Sequence, residues 1–359
     1  MKYSYKSVLL LSTMALLLMT SCRFSAGPDS GLSEIPARPA APVDTTGTDA
    51  TATVDPSGVA YGAVNEPVTV LWSNPGQLRD YDRLILNKPS NPAAWAGGMD
   101  TDMRLWLVGK AETHALYGEP VVILERRGDW LRVAATKQRS TLNEYGYPGW
   151  VPASHIVIDQ TYINELESLP SVIVAKPLTN LYSNKELTDI SIEISYQTRL
   201  PVLEEQEQVV AVRLPAGNTG YLSLHDVKKA GGLTFSRGEM TAEAKDFLGL
   251  RYIWAGTSSY GFDCSGFTMR LYQSQGVSIP RDADEQAREG IMVAKSELLP
   301  GDLLFFAAKM GQGQIHHVSM YIGNGMMIHS PGSSASVRID PIDSGIYREE
   351  FWGAKRYVP

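Results

Sequence analysis

The chain has 359 residues, 43% of them hydrophobic and 20% charged, with a formal net charge of −7. That length allows two or three domains with cores of their own, and the acidic balance argues against a nucleic-acid partner, which a basic face would mark. The two cysteines, Cys22 and Cys264, and the six histidines form no cluster with metal-ligand spacing, so neither a bound metal nor a cofactor is expected.

Lys2 and Lys6 precede the apolar run "VLLLSTMALLLM" (8–19), too short to span a bilayer comfortably. "MTSC" follows. A small residue directly before a cysteine at this place resembles a bacterial lipoprotein signal, which implies cleavage before Cys22, lipidation of Cys22 and a lipid-anchored protein of the cell envelope, facing the periplasm. Residues 1–21 are then the signal. Residues 22–62, rich in Pro, Ala, Thr, Asp, Gly and Ser, cannot bury enough apolar surface to fold and read as a tether. With Cys22 lipidated, Cys264 has no disulfide partner, and an unpaired thiol in an exported protein needs burial or a task.

Short alternating runs begin near residue 63. "VTVLW" (68–72), "RLWLVG" (104–109), "EPVVILERRGDWLRVAA" (119–135) and "PGWVPASHIVI" (148–158) read as strands with tight turns. The last two resemble a bacterial SH3-type barrel, assigned to residues 63–160, with 73–103 as an insertion. A degenerate second copy spans 161–232, with "TGYLSLHDV" in the place of "PGWVPASHI".

From residue 235 the pattern is mixed. "MTAEAKDFLG" reads as a helix stopped at Gly249. "DCSGFTMRLYQSQG" reads as a second, partly buried one, with Asp263 as N-cap and Gly276 as stop. "RDADEQAREG" reads as a third, with Asp282 and Glu285 near capping-box spacing. Strands follow at 301–308, 317–323 and 326–330, an α+β layout for residues 235–359.

Cys264 falls in the first turn of the second helix, where the dipole and free amides favour a thiolate. A thiol nucleophile needs a base. A hairpin turning about Asn324 would pair Ile322 with Met326 and Met320 with Ile328, gathering the apolar residues on one face. A two-residue turn would mix them and is rejected. The chosen register sets Ser319 opposite His329, so His317 and His329 become same-face diagonal neighbours, roughly 7–8 Å apart. The pair would lie on a polar face beside which the Cys264 helix docks. That gives a nucleophile, a base (His317) and an orienting group (His329), the logic of a catalytic triad. His316 points to the other face.

"RYIWAGTSSYGFDCSGF", "PRDADEQ", "LLPGDLLFF" and "HHVSMYIGNGMMIH", in this order, resemble the NlpC-type papain-like cell-wall cysteine peptidases over residues 238–357. The resemblance implies a multidomain chain: two small all-β SH3-type barrels followed by an α+β papain-like domain. It implies Cys264, His317 and His329 as catalytic residues and Tyr252, with the backbone amide of Cys264, at the oxyanion site. With two barrels in front, the pattern is most similar to the YkfC-like γ-D-glutamyl-L-diamino acid endopeptidases, the dipeptidyl-peptidase VI group. That implies murein stem peptides as substrate and release of L-Ala-γ-D-Glu from peptides with a free N-terminal L-alanine. Asp263, Ser265, Tyr147, Asp282 and an acidic residue of the first barrel, Glu112 or Glu119, would bind that end of the peptide. The group often has Ser where this chain has Ala283, so one polar contact is missing. The alternatives are an endopeptidase for glycan-linked peptidoglycan with wall-binding barrels, and a non-catalytic envelope binding protein. The remaining expectations are a monomer, a membrane contact through the lipid alone and no nucleic acid.

Overall fold

A computed structural model describes residues 59–358. The expected signal, Cys22 and most of the expected tether lie outside the described residues. Residues 60–62, assigned above to the tether, belong instead to the strand Ala60–Val64, which pairs antiparallel with Pro120–Arg127.

The first sheet has seven strands. Their spatial order is Ala111–Leu116, Val68–Trp72, Tyr147–Pro152, Trp130–Ala135, Pro120–Arg127, Ala60–Val64 and Ile156–Val157. The second sheet repeats the order: Ile190–Ser195, Leu178–Tyr182, Thr219–Ser223, Val209–Arg213, Arg199–Glu205, Ser171–Val174 and Val227–Lys229. Each element of one has its counterpart at the same sheet position in the other, so the weak sequence repeat is a full topological repeat.

One strand expectation fails. "RLWLVG" (104–109) is not a strand: Thr101–Leu105 is a short helix, capped where Asp100 accepts from the Met103 N–H at 2.8 Å. The cap and the left-handed Gly109 (φ +71°) outweigh the β-forming side chains. The sheet takes Ala111–Leu116 in its place, and the insertion folds into short helices at Arg83–Leu86, Pro92–Gly98 and Thr101–Leu105.

The C-terminal part holds the helices Arg237–Lys245, Cys264–Ser274 and Ala283–Arg288 and a six-stranded antiparallel sheet. Its order is Ile291–Val293, Phe351–Arg356, Leu303–Ala307, Ile315–Gly323, Met326–His329 and Arg338–Pro341. The Cys264–Ser274 helix is more enclosed than its sequence suggests: residues 264–272 and 274 are all buried. Phe267 and Leu271 pack with Val318, Met320 and Ile328 on one face of the sheet. Gly266 permits this depth. A Cβ there would stand 2.2 Å from the Gly256 carbonyl oxygen, so any larger residue would push the helix off its seat.

The hairpin corrects the turn and keeps the faces. Asn324 and Gly325, both left-handed (φ 53° and 71°), make a two-residue turn between paired Gly323 and Met326. An Asn-Gly pair suits such a turn because both residues accept positive φ. Met320 still faces Ile328, because a bulge at Ile322 absorbs the one-residue slip that a two-residue turn alone would impose.

The first barrel and the helical part share a buried ion pair. Arg270 donates to Glu119 at 2.7 Å, with the two side chains only 3% and 5% exposed. Glu119 also accepts from the Leu116 N–H and the Gln138 side chain. On the other side, Tyr196 of the second barrel lies in the same core as Phe247, Phe262 and Phe267. Removing one partner of a buried pair strands the other charge. Glu119→Ala is therefore expected to lower unfolding stability by ~3–5 kcal/mol in urea titration. A loss below about 1 kcal/mol would mean that the barrel interface does not depend on this pair.

Candidate active site

Three segments converge on Cys264. Its helix opens at Asp263, whose carboxylate accepts from the Gly266 N–H at 2.7 Å, the expected N-cap. The strand Ile315–Gly323 brings His317. The segment before the helix brings Tyr252, which is buried and paired at backbone level with Phe262. The backbone N–H groups of Val318 and Ser265 are directed at the Cys264 sulfur, so the residue next to His317 in the chain touches the thiol directly.

The expected electrostatic balance reverses at rest. Burial, and then the Asp263 carboxylate, push the Cys264 thiol up to about 12, against the smaller pull of the two amides. Burial, the neighbouring histidines and Arg338 hold His317 well below the ordinary range. At rest the thiol and the imidazole are therefore both neutral.

His317 and His329 do share a face: His317 Nε2 and His329 Nδ1 are 2.8 Å apart. That face is not an open polar surface. Phe306 and Tyr347 stand against the two rings, with centroids 5.6 Å (Phe306–His317) and 5.1 Å (Tyr347–His329) apart, and Tyr347 comes from the helix Gly345–Glu350. The side of the Cys264 helix packs on the opposite, apolar face of the same strand, through Val318 and Met320, and its N-terminal residue Cys264 lies at Val318, next in the chain to His317. His316 takes Glu350 at 3.0 Å, away from the pair.

The proton positions follow from the far end. His329 Nε2 lies 3.0 Å from Asp340 Oδ2, and Arg338 Nε donates to the same oxygen at 2.7 Å. The hydrogen bond from His329, and then Arg338, bring the Asp340 carboxyl down to about 2, so it is ionised and only accepts. His329 therefore carries its proton on Nε2 and accepts at Nδ1. His317 donates from Nε2, which leaves Nδ1 with a lone pair. Burial holds Tyr252 well above its ordinary range, with Cys264 and Asp263 adding to the effect, so it remains a phenol able to donate.

Beside the thiol lies Arg281, 1% exposed and not singled out by the sequence reading although it stands in "PRDADEQ". It donates to both carboxylate oxygens of Asp263 (3.1 and 2.6 Å), to Ser265 Oγ (2.9 Å) and to Thr113 Oγ1 of the first barrel (2.9 Å). Burial alone would weaken its charge, but Asp263 and Asp282 more than offset that. Asp263 and Ser265, expected to face a substrate amine, thus already hold a guanidinium.

Asp282 caps its helix without a side-chain bond. Its carboxylate accepts from Tyr147 Oη of the first barrel at 2.9 Å, and Glu285 accepts from the Thr141 N–H at 2.9 Å. The capping-box spacing thus serves the barrel contact instead of the helix end. Asp282, about a third open to solvent, is pushed up to about 6 by burial, against the lowering effects of Arg281 and Tyr147. Of the two acidic candidates in the first barrel, Glu119 is committed to Arg270. Glu112 is half-buried on the same strand, next to Thr113. Among the described residues no group of His, Cys, Asp and Glu could hold a metal ion.

The sequence reading missed Arg281, Asp340, Arg338 and Tyr347. Asp340 had one available signal: Arg338 and Asp340 alternate along a strand that sets His329 opposite Arg338.

The NlpC/P60 family profile matches residues 249–356, and that of the YKFC SH3b2 domain residues 174–229. A γ-D-glutamyl-L-lysine dipeptidyl-peptidase of Bacillus cereus is 42% identical over 306 residues, 82% of this chain and 90% of that one. One of Bacillus subtilis is 34% identical over 297 residues, 80% of this chain and 96% of that one. The crystal structure of an NlpC/P60 family protein from Bacillus cereus superposes with a TM-score of 0.80 at 41% identity, covering 84% of this chain and all of the other. With barrels, helices and thiol site arranged as described, the chain belongs to the NlpC/P60 family and is a cysteine peptidase.

Proposed function

We propose that the protein cleaves the bond between γ-D-glutamate and the diamino acid in murein stem peptides that carry a free N-terminal L-alanine, releasing L-Ala-γ-D-Glu. Cys264 is the nucleophile in this reading, His317 the base and His329 the group that orients it. Cys264 passes its proton to His317 Nδ1 as the sulfur attacks the carbonyl carbon. The Cys264 backbone N–H and the Tyr252 hydroxyl meet the developing oxyanion. His317 then gives the proton to the departing amine, and water hydrolyses the thioester.

The observation that carries the substrate choice is the charge count beside the thiol. One buried cation, Arg281, is paired with two carboxylates, Asp263 and Asp282, so within this set one negative charge is left over. A substrate ammonium would complete the set, and a buried charge is favourable only with such a partner. Asp263 and Ser265 support that pocket through Arg281, while Asp282, Tyr147 and Glu112 make the contact. The γ-D-glutamyl-L-lysine peptidase names of the two Bacillus relatives support the same substrate class. The first barrel then limits the length of peptide on the amine side.

We also place the protein in the cell envelope, held by lipid on Cys22, with the following segment as a tether. Cys22→Ser should move the protein from the membrane to the soluble fraction on cell fractionation. Retention in the membrane would refute the anchor.

The substrate reading is tested with L-Ala-γ-D-Glu-diaminopimelate and the same peptide acetylated on alanine, followed by mass spectrometry. Only the free-amine peptide should be cut, and Cys264→Ala should abolish cutting. Equal cleavage of both would point to wall-linked substrates, and cleavage of neither would refute this substrate class.

Asp282 must be ionised to meet an ammonium. Its raised carboxyl gives the direction: as pH falls through about 6 the carboxylate is lost and KM should rise. Asp282→Asn should raise KM about tenfold at pH 7, the equivalent of roughly 1.4 kcal/mol of binding, and flatten that pH dependence. An unchanged KM in this variant would remove Asp282 from the amine pocket.

A further inference from the structure

The acid–base chain does not end at the second histidine. We propose that Asp340 is a positioning residue for the reaction, fixing the proton on His329 and holding the positive charge that His317 takes from Cys264, with Arg338 set against it as a counterweight. The inference rests on the catalytic roles proposed above for Cys264, His317 and His329.

The geometry gives each atom one role. Asp340 can only accept, so His329 Nε2 must donate; His329 Nδ1 must then accept, and His317 Nε2 must donate. His317 Nδ1 is left as the sole basic atom of the chain. Without the carboxylate, His329 could carry its proton on either nitrogen. One of those two forms turns Nδ1–H toward His317 and takes the lone pair of His317 out of reach of the thiol. The site of this control is the strand Arg338–Pro341, at the sheet edge beside Met326–His329.

Charge favours the same role for Asp340. Both imidazoles are buried, which disfavours the imidazolium that must form when Cys264 gives up its proton. The groups around the pair are His316, itself paired with Glu350, the cation Arg338, the phenol Tyr347, and the thiol with Asp263 and Arg281 behind it. Asp340 is the carboxylate in hydrogen-bond contact with the pair. Arg338 donates to the same carboxylate oxygen and reaches Tyr347 Oη at 3.3 Å. It orients Asp340 and weakens its field. The two residues therefore act on His317 with opposite sign: Asp340 raises its basicity and Arg338 lowers it.

Opposite signs make the test specific. Cys264 is alkylated with iodoacetamide in the purified protein across pH, with no peptide present. The plateau rate follows the fraction of thiolate–imidazolium pair, and the acid limb follows protonation of the histidines. Asp340→Asn should lower the plateau about tenfold or more, since each unit of lost basicity is a factor of ten, and move the acid limb to lower pH. Asp340→Glu should recover part of the rate. Arg338→Gln, which can still donate to Asp340, should raise the plateau and move the limb to higher pH. Thermal unfolding monitored by circular dichroism identifies any variant that has lost its fold. If Asp340→Asn does not fold, the Arg338→Gln shift decides alone. An unchanged profile in Asp340→Asn, shifts of the same sign in both variants, or no shift in Arg338→Gln would each overturn the proposal. Because alkylation needs no peptide, a wrong substrate would leave this result standing.

Discussion

The guanidinium of Arg281 is the constraint on which the arrangement of this peptidase depends. A charge this deeply buried is stable only with its donors filled, and it fills them from three places: Asp263 at the helix end, Ser265 one residue past the nucleophile, and Thr113 on the first barrel. The nucleophile sits between two of those ligands. Its helix cannot shift without breaking bonds to a buried cation, and the first barrel cannot leave without taking the Thr113 acceptor from that cation's Nε. Glu119 and Arg270 make the same kind of bond nearby, so two buried arginines tie the barrel to the catalytic part. The barrel is thus a wall of the site as much as an attached module.

This arrangement explains why the thiol can lie buried and still be useful. Burial costs Cys264 its acidity and His317 its basicity, which leaves a neutral pair that resists casual oxidation and alkylation. The amides of Val318 and Ser265 and the histidine chain are already aligned for the charged pair. They act once the proton moves and cost no reorganisation at that moment. A reactive thiol gains from that separation between a quiet ground state and a prepared transition state.

Much of this was legible in the sequence, and the residues show why. The alternation from His317 to Ile322 and the Met326–His329 run placed the two histidines on one face, because period-two patterning is strict when one face is buried. The turn was misread, since a bulge at Ile322 leaves no mark in the pattern, yet the faces survived because the bulge restored the register. "RLWLVG" was misread because a cap at Asp100 and a glycine outweighed β-forming side chains over a short stretch. The polar partners were the hardest to see. Arg281, Asp340 and Arg270 are charged residues of a kind usually found at the surface, and nothing local in a sequence announces that a charge is buried against a partner more than a hundred residues away, as Arg270 is against Glu119. Asp263 shows the limit from the other side: its capping role follows from its neighbours, whereas its bond to Arg281 belongs to the tertiary fold.

For the proposed substrate, selection depends on the state of Asp282. Asp282 is held between Arg281 and Tyr147 with its carboxylate partly open, and its acidity is weakened by its surroundings. A carboxylate in that condition gains more from an arriving ammonium than a well-solvated one would, because less of its charge has already been met by water. A capped or amide-linked alanine brings no charge and leaves the carboxylate as it was. In the proposed reading, discrimination rests on an unmet charge left in the site beforehand, and the barrel residue Tyr147 holds that carboxylate in place without neutralising it.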